Sequence, residues 1–206
     1  MSDRARQRSP LALVVLACLA EAPMHAYRMH ELIKQRGKDT VVNVSQRNSV
    51  YQTITRLLRA GLIRVQETAK DEGRPERVTY QITDDGVVTL QGWMRDMLAA
   101  PTAEFPDLPA ALAFLPVLSP KEVQRQLEVR LSTQQEQLAN VHAVGEAQLK
   151  AGLPRLFLIE DDYRQAMLAA EIRWLEAVID DLRSKRLTWS AAWLKQISAQ
   201  MQSATG

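Results

Sequence analysis

Apolar residues recur with two different periods over the first hundred positions, and the change of period divides them into elements. Leu11 to Ala20 is apolar almost throughout, the pattern of a helix buried on most sides, and Pro23 closes it. In HAYRMHELIKQR, residues 25–36, Ala26, Met29 and Ile33 are spaced for the inner face of a second helix, with Lys34 and Arg36 complementing the dipole at its end. A third helix is predicted from about 46 to 60. Ser45 is placed as its N-cap and Gly61 as the left-handed residue that ends it. Val50, Ile54, Leu57 and Leu58 fall on one stripe of this helix, and Asn48, Ser49, Gln52, Thr55, Arg56 and Arg59 on the other. The period then drops from 3.6 to 2: Ile63 and Val65 alternate with Arg64 and Gln66, and Val78, Tyr80 and Ile82 with Thr79 and Gln81. KDEGRPE between them supplies a turn, so a two-stranded hairpin is expected with Arg74 and Arg77 at or near its tip. Thr83 then caps a helix with Val87, Leu90, Met94 and Met97 on one stripe and Trp93 beside it.

A proline-studded stretch, APTAEFPDLPAALAFLPVLSP, is the expected domain boundary. In SPKE, residues 119–122, serine stands as cap, proline as first helical residue and glutamate three on, a full capping-box pattern. It predicts a long helix with Val123, Leu127, Leu131, Leu138 and Val141 inward. After Gly152 and Pro154, a second long helix is expected to carry Tyr163, Met167, Ala170, Trp174 and Val178 on a stripe spaced three and four. Such a helix hairpin alone leaves much apolar surface bare, so a partner is implied. Trp189, Trp193 and Ile197 predict a last short amphipathic helix. The fold class is therefore mainly α with a small β-hairpin, divided into segments 10–98, 104–186 and 187–206, with no internal repeat or low-complexity tract.

At 206 residues, 46% hydrophobic and 24% charged, the chain has globular proportions. A net charge of +2 says little, but residues 1–64 hold 11 Lys and Arg against 4 Asp and Glu, whereas residues 99–206 hold 11 against 13. The basic potential is concentrated where the third helix lies, and a phosphate backbone would feel it there. The outer face of that helix offers amides, hydroxyls and guanidinium groups without a carboxylate, whereas a plain solvated face alternates Glu with Lys. Such a face suits a polyanion with hydrogen-bonding edges. The lone Cys18 excludes an intramolecular disulfide and reads as buried filler in a reducing cytosol, with redox sensing as the alternative. Arg4, Arg6 and Arg8 before LALVVLACLAEAP imitate a secretory signal with a cleavage site at Ala20 and Ala22. Losing that run would strip the next helices of a partner, so it is read as a buried helix in a cytoplasmic protein, with no membrane association.

His25 and His30 stand five apart and His142 far away, with no third ligand or cysteine nearby, so capping and surface roles are expected and no metal. Glu160, Asp161 and Asp162 are consecutive and point different ways on a helix, so they make no acid–base pair. No P-loop, dinucleotide fingerprint, serine elbow or zinc pattern occurs, and neither a cofactor nor catalysis is expected.

Three helices followed by an arginine-tipped hairpin is the order of a winged helix-turn-helix module. Over residues 10–98 the tracts LALVVLACLAEAPMHAYRMHELI, VSQRNSVYQTITRLLRAGLI and GRPERVTYQITDDG resemble the PadR family of bacterial transcriptional regulators, in matching order and spacing. From 104 to 186 the resemblance is looser, to the helical C-terminal region of the longer members, and AAEIRWLEAVIDDL is similar to the family's E-x-x-W-L stretch at Glu171, Trp174 and Leu175. The block after Leu187 has no counterpart. Ala26 stands where the family usually has glycine, and SQRNSVY where it usually has SPGSLY. The second departure changes base-facing residues, so a different operator is expected.

The resemblance implies a winged helix-turn-helix domain over 10–98 that lays helix 46–60 in the major groove of double-stranded DNA, and a helical dimerisation and effector domain over 104–186. Asn48 and Gln52 can pair bidentately with adenine, and Arg47 or Arg56 with guanine or a phosphate. Gln46, Asn48 and Gln52 are assigned to bases and Arg56 to phosphate. Tyr27, Ser45, Ser49 and Tyr51 match family positions that bond to phosphates, with mutual packing of the two tyrosines as the alternative. Arg74 and Arg77 would reach the flanking minor groove or backbone, or Arg77 pair with Glu76 or Asp71 as ordinary surface charge. The bare apolar stripe, and the need for two reading helices one turn of DNA apart, predict a homodimer through 120–186 and the first helix. The family also implies repression relieved by a small aromatic or lipophilic effector, for which Trp93, Met94, Met97 and Trp174 are candidates, although core or interface packing explains them as well. A winged-helix protein-interaction module or scaffold without DNA binding is the alternative, and the carboxylate-free face argues against it.

Overall fold

The computed structural model describes residues 8–42, 47–69, 77–102 and 105–204, which fold as two units divided between Glu104 and Phe105. In the first, helix α1 (Pro10–Glu21) starts where the Ser9 hydroxyl accepts from the Ala12 amide at 3.2 Å, with Pro10 in the first turn, where its missing N–H is not needed. Strand β1 (Met24–His25), helix α2 (Ala26–Gln35), a 3-10 turn (Lys38–Thr40), helix α3 (Arg47–Arg59), strands β2 (Ile63–Ala69) and β3 (Arg77–Ile82) and helix α4 (Asp84–Ala99) follow. Val15, Leu16 and Leu19 of α1 are buried with Met29 and Ile33 of α2, Val50, Ile54 and Leu57 of α3 and Trp93 of α4. Helix α1 is packed by the others on most sides, which is why nearly every position in it is apolar. Cys18 is buried there, and burial raises its thiol pKa, the setting of an unreactive core residue.

Helix α3 ends as its glycine predicts. Gly61 has φ +70, its amide donates to the Leu58 carbonyl, and the Leu62 amide donates to the Leu57 carbonyl, both at 3.0 Å. These are the two bonds of a Schellman closure. The Thr83 amide then donates to the Leu62 carbonyl at 3.1 Å and the Thr83 hydroxyl to the Gly61 carbonyl at 2.8 Å, while the hydroxyl oxygen accepts from the Gly86 amide. The cap of α4 is thereby fastened to the end of α3.

The sheet corrects the expected hairpin: it has three antiparallel strands in the order β1-β3-β2. Met24 pairs with Tyr80 and His25 with Thr79. A two-residue strand is too short to display a period of two, so patterning cannot find it. It also changes the role of His25, whose side chain makes no cap bond. Its Nδ1 lies 3.1 Å from the Val78 carbonyl oxygen, which can only accept, so this nitrogen carries the proton. His30, expected at the surface, is buried. Helix α4 is rotated from the predicted stripe: Gly86, Thr89 and Trp93 are buried and Met94 is exposed. The close approach at Gly86 and the bulk of the indole set that rotation.

The second unit comprises helix α5 (Asp107–Ala113), a 3-10 turn (Leu115–Val117), helices α6 (Pro120–Lys150) and α7 (Ile159–Arg183) and helix α8 (Ala191–Ala204), with a further 3-10 turn (Arg155–Leu158) before α7. Both halves of the capping box form: the Glu122 amide donates to Ser119 Oγ and the Ser119 amide to the Glu122 carboxylate. Helices α6 and α7 pack against each other around Val123, Leu127, Leu175, Ile179 and Leu182. The stripe read from the sequence on α7 is for the most part not the one that packs on α6, although Val178 lies half-buried against that core. Leu168, Ile172, Leu175, Ile179 and Leu182 are buried, whereas Tyr163, Met167, Ala170 and Trp174 are exposed. The two stripes have nearly the same spacing and lie one residue apart at 167/168 and 174/175, so periodicity alone does not separate them. Trp189 precedes α8 rather than belonging to it; its indole N–H donates to the Leu118 carbonyl at 3.0 Å. Among the described residues, no helix is long and apolar enough to cross a membrane.

Candidate nucleic-acid interface

Val50, Ile54 and Leu57 drive one side of α3 into the core, which fixes what the other side presents. Asn48, Tyr51, Gln52, Thr55, Arg56 and Arg59 are exposed and Ser49 is half-buried. Residues 40–66 contain neither Asp nor Glu, so the local chain brings no carboxylate to this face. Thr55 is spent internally, its hydroxyl donating to the Tyr51 carbonyl at 3.0 Å. Arg56 reaches the start of α1, where Nη2 donates to Ser9 Oγ at 3.2 Å. One N–H of the fork is used there, and the others are available to an acceptor outside. The side chain of Arg47, and all of Ser45 and Gln46, lie outside the described residues.

The elements around α3 aim it. Its C-terminal end is held by the Schellman closure and by Thr83. In the hairpin, Arg64 Nε and Nη2 both donate to Gln81 Oε1, at 3.1 and 2.8 Å, bracing β2 against β3. A shift of register between Val65 and Glu67 adds twist to the wing. Arg77 begins β3 opposite Ala69; its side chain and the whole of Arg74 lie outside the described residues. Tyr27, in the first turn of α2, and Tyr51 are 55% and 50% exposed, so neither ring is sealed by packing. Burial first, and the charge of Tyr51 second, raise the pKa of the Tyr80 phenol. Arg36 is occupied away from this face: it grips both oxygens of Glu21 at 2.6 and 2.7 Å and holds that carboxyl below the usual carboxylate range.

The four effector candidates are distributed over both units. Trp93 belongs to the core of the first unit, where Met97 is half-buried and Met94 exposed. Trp174, 40% exposed, lines an open cleft of about 410 Å³ in the second unit with Leu108 and Leu112 of α5 and Arg164, Met167 and Leu168 of α7. At the edge of this cleft is a polar network that periodicity missed. Glu171 accepts from Arg130 Nε at 2.5 Å and from Gln134 Nε2 at 2.8 Å. Burial works to raise the Glu171 carboxyl, but the bonds from Arg130 and Gln134 outweigh it and the pKa is lowered. The available signal was Gln134 itself, a polar residue in the apolar series Leu127, Leu131, Leu138, Val141. Ser9 was also missed as a partner of the α3 face, and the serine before Pro10 was the clue to it.

Helix α3 across a bundle with α1 and α2, followed by a braced two-strand wing, is a winged helix-turn-helix fold. Residues 15–92 match the transcriptional regulator PadR-like family. Among solved structures it is similar to Bacillus subtilis PadR in complex with operator DNA, with 17% identity, a TM-score of 0.67, and 84% of this chain and 98% of that one covered. It is similar also to Bacillus subtilis PadR in complex with p-coumaric acid, with 16% identity, a TM-score of 0.68 and 85% and 99% covered. A third similar structure is the Vibrio cholerae virulence activator AphA, with 20% identity, a TM-score of 0.65 and 85% and 99% covered. No curated protein matches the chain significantly.

Proposed function

We propose that the protein is a homodimeric, sequence-specific repressor that binds a pseudo-palindromic operator and releases it when a small aromatic or lipophilic molecule binds. The observation that carries the reading is the outer face of α3, exposed, rich in hydrogen-bonding groups and free of carboxylates. Gln46, Asn48 and Gln52 read bases, with Arg47 beside them, while Tyr27, Ser45, Ser49, Tyr51 and Arg56 hold phosphates and Arg74 and Arg77 extend the contact through the wing. The operator complex of Bacillus subtilis PadR supports this use of the fold. Pairing through α7 is supported by its exposed Tyr163, Met167 and Trp174, and a pseudo-palindrome calls for two reading helices about one turn of DNA apart. The effector reading is supported by the p-coumaric acid complex of Bacillus subtilis PadR and by the apolar cleft beside Trp174. A similar fold serves an activator in Vibrio cholerae, so repression rests on the family resemblance and not on the architecture. Selection of tight-binding duplexes from a random pool tests the core of the proposal. Inverted half-sites with centres about ten base pairs apart, or a multiple of that, are expected; a pool that never enriches refutes it.

A further inference from the structure

Beside the reading face, a notch of about 320 Å³ is lined by Ser9 and Leu11 of the α1 start and by Ser49, Gln52, Thr53 and Arg56 of α3. We infer that this notch seats one phosphodiester of the DNA backbone, held jointly by the N-terminus of α1 and by Thr53 and Arg56. The inference rests on the DNA-binding reading above and adds a contact from a helix to which that reading assigns none.

Every polar group lining the notch can donate, and no carboxylate is among them. The Ala12 amide and Arg56 both donate to Ser9 Oγ, so the proton of that hydroxyl is left to point outward. The twelve-residue α1 adds the positive end of its dipole and, at Leu11, an amide that no residue within the helix accepts. Thr53 supplies the independent observation. It is only 5% exposed, yet its hydroxyl has no hydrogen-bond partner among the described residues. Two other helical threonines return the hydroxyl to the carbonyl four residues back, Thr55 to Tyr51 and Thr133 to Val129. Thr89 also lacks a partner, but its oxygen is sealed inside the first unit, whereas Thr53 opens on the notch. A hydroxyl that opens on the notch without a partner in the protein can donate to an acceptor arriving from outside. A phosphate oxygen fits, because it accepts several hydrogen bonds at once and balances the guanidinium beside it. Gln52, at the rim, remains free to address a base.

The test is fluorescence-polarisation titration of the full chain on a selected duplex and on a random one, from about 50 to about 200 mM salt. Arg56→Gln is expected to weaken both duplexes alike, by about tenfold, and to lower the salt slope by about one. Thr53→Val, which keeps volume and removes the hydroxyl, is expected to weaken both by about fivefold at unchanged slope, with Thr53→Ser restoring the affinity. In the wild type, a neutral methylphosphonate scanned along each half-site should lower affinity at several positions, and at one of them Arg56→Gln should lose nothing further. Wild-type affinity in Thr53→Val, or a scan in which Arg56→Gln adds to the loss at every position, overturns the notch while DNA binding stands. Wild-type protein that binds no duplex at about 50 mM salt overturns the DNA-binding reading and the notch with it.

Discussion

Gly86 is the position at which a single methyl group tests how the reading helix is aimed. A Cβ added there overlaps the Leu62 carbonyl oxygen and stands 2.7 Å from Ile82 Cγ1. The first obstacle is backbone, so no rotamer relieves it, and the start of α4 has to move off the end of α3. That movement strains the Thr83 amide bond to Leu62 and the Thr83 hydroxyl bond to Gly61, each worth about 1 kcal/mol, in addition to about 1–3 kcal/mol for overpacking. Alanine's better helix propensity returns at most about 1 kcal/mol. Gly86→Ala is therefore expected to destabilise the protein by about 2–4 kcal/mol, which lowers the urea midpoint by roughly 1 M or more. Gly92, in the same helix, has nothing within 4 Å of its would-be Cβ, so Gly92→Ala should hold or raise the midpoint. Equilibrium urea unfolding followed by circular dichroism separates the two. An unchanged midpoint in Gly86→Ala, or an equal fall in Gly92→Ala, refutes the claim that close backbone approach is what excludes a side chain at residue 86.

Four further outcomes are expected. Gln52→Ala should cost about 1–3 kcal/mol on the cognate site and little on random DNA; an equal loss on both removes it from base reading. Arg74→Ala should weaken both duplexes and flatten the salt dependence, and an unaltered slope in the titration contradicts a wing contact to the backbone. Met167→Glu, a charge placed on the exposed stripe of α7, should give a folded monomer by light scattering, and a persisting dimer moves the interface elsewhere. The lowered pKa of Glu171 means that the folded state binds its proton less readily than the unfolded chain. Its stabilising contribution is thus complete above the unfolded carboxyl value of about 4.3 and lost as pH falls through the lower folded value. Urea midpoints of Glu171→Gln should accordingly change less than those of wild type in that acid range, and parallel curves would dismiss the network as a contributor.

The parts of the fold legible in the sequence are those where local chemistry and burial agree. Ser119 and Glu122 cap α6, Thr83 caps α4, and Gly61 closes α3, because each motif is satisfied by backbone within a few residues. The face of α3 was legible for the same reason: its apolar stripe is strong and its outer residues are chemically uniform. Strand β1 was not, since its partner lies more than fifty residues away and its two residues carry no period. Nor was the notch, because Ser9 and Arg56 are 47 positions apart and meet only through the packing of α1 on α3. Ser9 reads from sequence as a cap and nothing more; it is the tertiary fold that turns the cap toward a shared opening.

Helix α7 carries more apolar surface than one packing partner can cover. Its two apolar stripes share a spacing of three and four and overlap in register, so a sequence that satisfies one satisfies the other. A lone amphipathic helix has no use for both, since apolar groups left in water contribute nothing to its stability. Packing on α6 buries Leu175, Ile179 and Leu182, Leu168 and Ile172 on the same stripe are buried too, and the aromatic and methionine residues one step round the helix remain outside. Tyr163, Met167 and Trp174 are large, adaptable side chains of the kind enriched at protein interfaces. The stripe that the hairpin leaves over is therefore the part of the second unit that the proposed dimer would use, and Met167→Glu tests that use without disturbing the stripe that holds α7 to α6.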